Sequence, residues 1–217
     1  MLRYLALFSV LALGSYAAPL RKPVSKPTPV AAPAVLTRWT IDSNHSSANF
    51  KIRHMGISWV RGSFSGIIGE VMTNEKDVTQ TVVKALIDVN KIDTGNTDRD
   101  KHLRGRDFFN VEEFPKMEFV STKVYRDKKK DLYMSGKLTL HNVTKEVTLK
   151  LDGPSQPIKN PKGDFSTGLT ATTTLNRKDF GIIYGGLVEG IHMIGEDVQI
   201  EIEVELTKPG TPEPASK

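Results

Sequence analysis

The chain has 217 residues, and its 30 basic and 25 acidic residues give a formal net charge of +5. That surplus lies near the two ends, because residues 38–207 contain 24 basic and 24 acidic residues, a balance that gives no electrostatic support for nucleic-acid binding. No apolar run is long enough for a bilayer-spanning helix, and the absence of cysteine excludes disulfide bonds and a cysteine nucleophile.

The first 17 residues have the pattern of a secretory signal peptide. Arg3 supplies a positive charge, an apolar run follows from Leu5 to Leu13, and Ala17 closes the small-residue pattern of a cleavage site. The chain also lacks the cysteine that would anchor a bacterial lipoprotein. We therefore predict cleavage of residues 1–17 and export to the periplasm or the medium.

Proline-rich segments flank the central part of the chain. Five prolines in residues 18–37 predict an extended linker, and three prolines in residues 208–217 predict a disordered tail. The basic residues of the linker favour a transient contact with anionic membrane or envelope polymer, and a solvated spacer is the alternative. Residues 38–207 are then the single folded domain.

Apolar and polar residues alternate along most of this domain, as in strands with one dry and one wet face. The clearest case is residues 197–207, where an apolar residue occupies every second position from Val198 to Leu206. Short connections between such strands predict a sandwich or a closed barrel, and the glycines of the second strand favour a sheet that curls and closes. The eight predicted strands are 39–54, 59–72, 80–90, 116–126, 132–141, 144–151, 164–176 and 197–207.

The alternation breaks only at residues 98–115. Charged residues dominate up to Asp107, and two aromatic residues follow. We predict a short helical segment near 97–109, capped by Thr97 or Asp98, with its charged face toward solvent. Leu103, Phe108 and Phe109 would then face the interior, as a lid or wall over the strands.

No catalytic motif is present. The sequence contains no Gly-x-Ser-x-Gly elbow and no glycine-rich phosphate loop. The five histidines lack metal-ligand spacing, and Asp98, Asp100 and His102 would diverge on a helix. We therefore predict no enzyme activity, no metal site and no cofactor.

The interior remains as the candidate site. Its predicted residues are apolar, and periodicity alone does not separate a filled core from a ligand pocket. The inward positions are Phe50, Ile52, Phe64, Val83, Ile87, Val89, Phe119, Leu138, Leu140, Val147, Leu149, Leu169, Ile200, Ile202 and Val204.

Several motifs, in order, resemble the YceI-like family across residues 38–207. The resemblance is carried by Trp39-x-Ile41-Asp42-x-x-His45-Ser46, Phe50-x-Ile52-x-His54-x-Gly56, Gly62-x-Phe64, Arg99-Asp100-x-His102-Leu103-x-x-x-Asp107-Phe108-Phe109, Phe114-Pro115, Phe119-x-Ser121-Thr122, Leu138-Thr139-Leu140-x-x-Val143-Thr144-Lys145 and Asn176-Arg177-x-Asp179-Phe180-Gly181.

This resemblance implies an extended, lipocalin-like, eight-stranded antiparallel barrel that is exported and not catalytic. It implies a polyisoprenoid in the lumen, with a phosphate or quinone-type head, for transport, storage or sequestration. The lumen residues would be Phe50, Ile52, Phe64, Ile87, Val89, Leu103, Phe108, Phe119, Leu138, Leu140, Leu169, Ile200 and Ile202. The head group would meet His54, His102, Arg104 and Arg177 at the mouth.

Two other functions stay open at this point. One is an enzyme acting on an isoprenoid lipid, with His102 and either Asp98 or Asp100 as its acid and base. The other is an envelope stress-response protein whose linker or surface binds a partner. The sequence decides neither the oligomeric state nor the length of the ligand.

Overall fold

The computed structural model describes residues 35–210. The predicted signal peptide, the first 17 residues of the linker and residues 211–217 of the tail lie outside the described residues. Thr37, the last residue of the predicted linker, begins the first strand, and Lys208, the first of the predicted tail, ends the last. The first and last strands thus extend one residue beyond the predicted bounds 38–207.

Over the described range the chain forms fourteen strands and one α-helix. The helix is α1 (Thr97–Arg104), and two 3-10 turns span Val89–Lys91 and Arg177–Phe180. No helix within residues 35–210 has the length and apolar character needed to cross a bilayer. The strands are β1 (Thr37–Ile41), β2 (Ser47–His54), β3 (Ser58–Ser65), β4 (Ile68–Asn74), β5 (Asp77–Asp88), β6 (Ile92–Asp93), β7 (Lys116–Arg126), β8 (Leu132–Leu140), β9 (Val143–Asp152), β10 (Ile158–Lys159), β11 (Phe165–Asn176), β12 (Leu187–Val188), β13 (Ile191–His192) and β14 (Ile194–Lys208).

Eight of these strands close into an antiparallel barrel. Their order around the ring is β11, β9, β8, β7, β5, β4, β1 and β14, and β14 returns to pair with β11. The closing pair is continuous from Phe165 opposite Lys208 to Asn176 opposite Asp197. The predicted eight-stranded antiparallel barrel is confirmed.

Strand β14 pairs with β11 along one edge and with two different strands along the other. Leu206 and Thr207 pair with β1, whereas the stretch from Ile194 to Glu203 pairs with β2. The predicted first strand, 39–54, is therefore two strands that share one partner. They are separated by a connection at residues 42–46, where Asn44 donates its backbone N–H to the Asp42 side chain. Strands β2, β3 and β6 extend the wall beyond the ring.

The predicted second strand, 59–72, is also two strands, and glycine explains the break. Gly66 lies between β3 and β4 with φ of +70°, a left-handed conformation that favours glycine. Gly69 lies so close to β5 that a Cβ atom there would overlap the carbonyl oxygen of Lys84 and lie 2.9 Å from the Cα of Ala85. The glycines thus permit a turn and a close strand approach, as their pattern predicts.

The alternation seen in the sequence determines which side chains face inward. Two clusters of buried side chains fill parts of the barrel, and Val83, Leu169 and Ile202 pack against both. The first cluster contains Trp39, Ile41, Ala48, Phe64, Ile67, Val71, Val89, Ile92, Met117 and Leu206. The second contains Val124, Leu132, Met134, Leu149, Leu151 and Ala171.

The N-cap of helix α1 lies one residue before Thr97, the first of the two predicted caps, and the helix ends at Arg104. Asn96 is the N-cap, and its side chain accepts the backbone N–H of Arg99 at 3.0 Å. The charged face is not wholly at the solvent side, because Asp100 is buried and accepts the backbone N–H of Thr94 at 2.9 Å. Arg99 donates to the Thr94 carbonyl at 2.8 Å, so the helix is tied down at its start.

Candidate functional site

A cavity of about 490 Å³ lies inside the barrel. Ligand sites for small molecules commonly measure roughly 300–1,000 Å³, so this space is large enough for a ligand. Its surface is almost entirely apolar, with side chains from the barrel strands, from β2 and β3 and from α1 and the turns after it. The interior is therefore not filled by its own side chains.

Nearly all predicted lumen residues line this cavity. Val89 is the exception: it is fully buried in the 3-10 turn, and its N–H donates to the Pro115 carbonyl at 2.9 Å. The predicted residues in the lining are Phe50, Ile52, Phe64, Ile87, Leu103, Phe108, Phe119, Leu138, Leu140, Leu169, Ile200 and Ile202.

The segment after α1 contributes to the wall with its aromatic side chains. Phe109 stands edge-on to Phe64 with ring centres 5.7 Å apart, and Phe64 lies 5.6 Å from Phe50. Phe108 is buried, and with Leu103 and Phe109 it belongs to the cavity lining. These three residues therefore form a wall against the strands, in the place that the sequence predicts.

His102 stands at the mouth of the cavity. Its Nε2 lies 3.0 Å from Asp107 Oδ2, and its ring is edge-on to Phe108 at 5.0 Å and to Tyr184 at 5.1 Å. Its side chain is 47% exposed, so the ring meets both the cavity and solvent. His54 also belongs to the lining. Both histidines are thus available to a polar head group.

The two arginines predicted at the mouth are held by backbone carbonyls. Arg104 does not line the cavity, and it donates from Nε to Asn90 at 2.9 Å and from Nη2 to Ile92 at 2.8 Å. It therefore fastens α1 to the preceding turn and strand. The sequence did not reveal this role, because every residue has a backbone carbonyl and the residue types therefore do not show which carbonyl accepts a hydrogen bond.

Arg177 is buried, with only 6% of its surface exposed, although it forms part of the lining. It donates from Nε to Gly195 at 2.9 Å, from Nη1 to Ile182 at 2.6 Å and from Nη2 to Ile194 at 3.3 Å. Burial lowers the pKa of its guanidinium. We therefore assign it mainly to holding the chain at the mouth.

The predicted acid–base pair of the enzyme hypothesis is not assembled. Asp98 is exposed, and Asp100 accepts hydrogen bonds from Thr94. His102 forms its hydrogen bond with Asp107, which is neither of the two aspartates that the enzyme hypothesis requires. The geometry thus gives this pair no support, and the absence of an enzyme activity stays a prediction.

Apart from Phe180 and Gly181, which belong to the last family motif, sequence reasoning did not single out the segment from Phe180 to Ile194, which completes the mouth. Nine of its fifteen residues are apolar and four are glycine, without the alternation of a strand. This combination of apolar residues and glycine was the feature of the sequence that could have indicated an irregular segment at the cavity. The segment lines the cavity through Phe180, Ile182, Tyr184, Met193 and Ile194.

A polar cluster joins the β1–β2 connection to β14. Ligand-type atoms of Asp42, His45 and Glu205 lie within 4.8 Å of one another. His45 Nδ1 is 2.9 Å from Asp42 Oδ2 and 3.9 Å from Glu205 Oε2. Sequence spacing did not show this group, since Glu205 comes from the other end of the domain. The hydrogen bond accounts for the cluster, and the absence of a metal site stays a prediction.

We expect the pKa of His45 to lie above its ordinary value of 6.5, because Asp42 accepts its hydrogen bond and stabilises the imidazolium. The same bond lowers the pKa of Asp42. The contribution of His45 to stability is thus complete below its unfolded pKa and is lost as pH rises through its folded pKa. NMR titration of the ring protons measures this shift.

The matched variant is Asp42→Asn, which keeps an oxygen for the N–H of Asn44 but removes the charge. In this variant the pKa of His45 should fall toward 6.5. Glu205→Gln should have a smaller effect, because Glu205 acts on His45 only through space, from 3.9 Å. An unchanged titration in Asp42→Asn contradicts the assignment.

Comparison with known proteins gives one family. The family model described as the YceI-like domain matches residues 39–206. A UPF0312 protein from Enterobacter sp. (strain 638) is 40% identical over 153 residues, covering 69% of this chain and 78% of that protein. The match therefore includes nearly the whole barrel.

Two solved structures show the same fold. BcnA of Burkholderia cenocepacia aligns with a TM-score of 0.64 at 19% identity, over 76% of this chain and 98% of that one. A polyisoprenoid binding domain from Saccharophagus degradans, implicated in plant cell wall breakdown, aligns with a TM-score of 0.56 at 14% identity, over 79% and 98%. At these identities the likeness concerns the architecture alone.

Proposed function

Because the chain belongs to the YceI-like family, we propose that it is an exported carrier that holds a polyisoprenoid lipid inside its barrel. The observation that carries this proposal is the apolar cavity of about 490 Å³. The architecture is shared with a domain from Saccharophagus degradans that is described as polyisoprenoid binding. Transport, storage and sequestration of the lipid all use such a cavity.

The chemistry of the lining suits a hydrocarbon chain. An isoprenoid in water exposes many apolar groups, and burial of each methylene contributes about 0.8 kcal/mol. The lining consists mainly of Leu, Ile, Val and Phe side chains, which offer few directional hydrogen bonds. Selection among lipids would therefore depend on the length and branching of the chain.

The head group would remain at the mouth. His54, His102 and Tyr184 line the cavity there, and each carries a group that can donate a hydrogen bond. A phosphate and a quinone carbonyl both accept such bonds. Arg104 and Arg177 are already engaged with carbonyls, so we propose the two histidines and Tyr184 as the head-group contacts.

Export is part of the proposal. Its support is the signal-peptide pattern of residues 1–17 together with the absence of cysteine. A carrier outside the cytoplasm would keep an insoluble lipid dispersed in the aqueous space of the periplasm or the medium.

The direct test is extraction of the purified, exported protein with organic solvent, followed by mass spectrometry. We expect one isoprenoid per barrel, either a quinone or a polyprenyl phosphate. The delipidated protein should take the same lipid up again, and a straight-chain fatty acid is the control. Failure to find or rebind any isoprenoid, or equal uptake of the fatty acid, would overturn the proposal.

A further inference from the structure

Exposed apolar side chains are concentrated at the mouth of the barrel. Among the residues that the structure describes, five form what we call the apolar rim. Each is a large aliphatic residue with 41–79% of its surface exposed. Patches of this kind mark sites of contact with proteins or membranes. The members of the apolar rim are Ile57, Ile183, Leu187, Val188 and Ile191.

Two chain segments bring the rim together. Met55, in the turn between β2 and β3, donates its N–H to Met193 at 3.0 Å, and Met193 donates to Gly186 at 2.9 Å. A Cβ atom placed on Gly56 would lie 3.6 Å from Cγ2 of Ile191. The turn that carries Ile57 therefore lies against the β12–β13 hairpin.

The rim is continuous with the cavity. Ile182 and Tyr184 line the cavity, and Ile183 between them is 69% exposed. Met193 and His54 also line the cavity and adjoin the two segments of the rim. The same short stretches of chain thus supply the cavity wall and the exposed apolar surface.

An aromatic residue with two cations follows Ile57 by two residues in the sequence. Trp59 is half-buried on β3, with the Arg53 guanidinium 4.1 Å and the Lys51 ammonium 5.3 Å from its ring centre. Tryptophan is favoured at the boundary between hydrocarbon and water, and long basic side chains reach from there toward lipid phosphates. This arrangement complements an anionic lipid surface.

The acidic groups near the mouth include Asp107, which lies 3.0 Å from His102, and two glutamates of the hairpin region. Glu196 is paired with Lys178 and lies 3.2 Å from His192. Glu189, at the turn between β12 and β13, is exposed and is not among the described ion pairs. Its negative charge is repelled by an anionic surface, so its removal should increase binding to that surface.

We propose that the apolar rim docks on an anionic lipid bilayer and places the mouth of the cavity against it. The inference rests on the proposed lipid-carrier function, whose ligand is a membrane lipid. With the rim in the interfacial layer and Trp59, Arg53 and Lys51 at the depth of the head groups, an isoprenoid moves between bilayer and cavity without exposure to water.

The test is flotation of the full exported protein with vesicles of phosphatidylcholine, alone or with phosphatidylglycerol. The rim variant is Leu187→Asn with Val188→Asn and Ile191→Asn. We expect its partitioning to fall at least about tenfold, since three apolar side chains leave the interface. Vesicles of phosphatidylcholine alone remove the electrostatic attraction of all basic residues, those in 18–37 as well as Arg53 and Lys51, so binding to them should be weaker and should depend on the apolar rim alone.

The matched control is Ile68→Asn with Val82→Asn and Ile158→Asn. These residues are 54%, 45% and 66% exposed, against 63%, 41% and 52% in the rim variant. The control should partition like the unmodified protein. Glu189→Gln should increase binding to the anionic vesicles.

Three results would overturn the docking proposal. The first is that the unmodified protein does not bind vesicles. The second is that the rim variant and the control lose vesicle binding equally. The third is that the unmodified protein dimerises in a concentration-dependent way and the rim variant alone does not. Uptake of isoprenoid from dilute ethanol separates this proposal from the carrier function. If the rim variant takes up isoprenoid but does not bind vesicles, the rim serves docking and the carrier function stands. If the unmodified protein takes up no isoprenoid, the proposed carrier function is contradicted.

Discussion

Ala85→Trp is expected to reduce the isoprenoid content of the purified protein at least about tenfold. Ala85 lies on β5 opposite Phe119 and lines the cavity. An indole at this position would occupy space that the hydrocarbon chain needs. Loss of room for two methylene groups costs about 1.6 kcal/mol, which is already a tenfold loss of affinity. Mass spectrometry of the solvent extract measures the lipid.

The substitution should leave the barrel folded. In a filled core an added large side chain costs about 1–3 kcal/mol through strain, but here the ring enters a cavity of about 490 Å³. We therefore expect a cooperative unfolding transition with a free energy close to that of the delipidated unmodified protein. Denaturant unfolding of both proteins after solvent extraction makes this comparison.

The neighbouring residue provides a matched control. Lys84 is exposed on the outer side of the same strand, so Lys84→Trp adds the same ring outside the barrel. This variant should retain the full amount of lipid. If Ala85→Trp folds and still retains the unmodified amount, the lipid is bound elsewhere and the cavity is not its site.

The barrel and most of the cavity lining could be predicted because strand alternation determines both. On β14, Ile200, Ile202 and Val204 face inward because every second residue of a strand shares a face. The break between β3 and β4 was not predicted as a boundary. A glycine in a strand signals a bend or a close approach, and only the positions of the neighbouring strands show which one applies.

The differences between the predicted and the observed placement of site residues have separate physical reasons. Val89 has the right parity for an inward residue, but the chain leaves the strand at Asp88 and turns it into the core. Arg104 and Arg177 were predicted from their charge, whereas their partners are backbone carbonyls, which every residue carries. The mouth segment 180–194 has neither helical nor strand periodicity, so pattern reasoning passed over it.

Arg177→Met is expected to destabilise the domain by about 2–4 kcal/mol and to loosen the mouth. The guanidinium holds the carbonyls of Ile182, Ile194 and Gly195. Hydrogen bonds to charged groups contribute about 1.5–3 kcal/mol each, and water can replace part of that at a site beside the mouth. Denaturant unfolding gives the free energy, and hydrogen exchange should show faster opening of residues 182–195.

The cost of burying the Arg177 charge reduces the loss of stability expected for Arg177→Met. Burial of the Arg177 cation removes it from water, which is costly and lowers the pKa of the guanidinium. Removal of a buried charge can therefore stabilise a protein when its partners are removed as well. Here the partners are backbone carbonyls that remain in place, so the cost of leaving them unpaired prevails. Arg177→Lys should be intermediate, since an ammonium cannot reproduce the planar set of donors.

The control is Arg126→Met, which removes an exposed arginine that donates to one carbonyl, that of Lys130, at 2.9 Å. It should change the unfolding free energy by less than about 0.5 kcal/mol, as is usual for surface positions. If Arg177→Met is as stable as the unmodified protein, Arg177 does not hold the mouth. The residue would then be free to serve the head group, as its charge alone suggested, and Arg177→Met should weaken binding of an isoprenoid phosphate more than binding of a quinone.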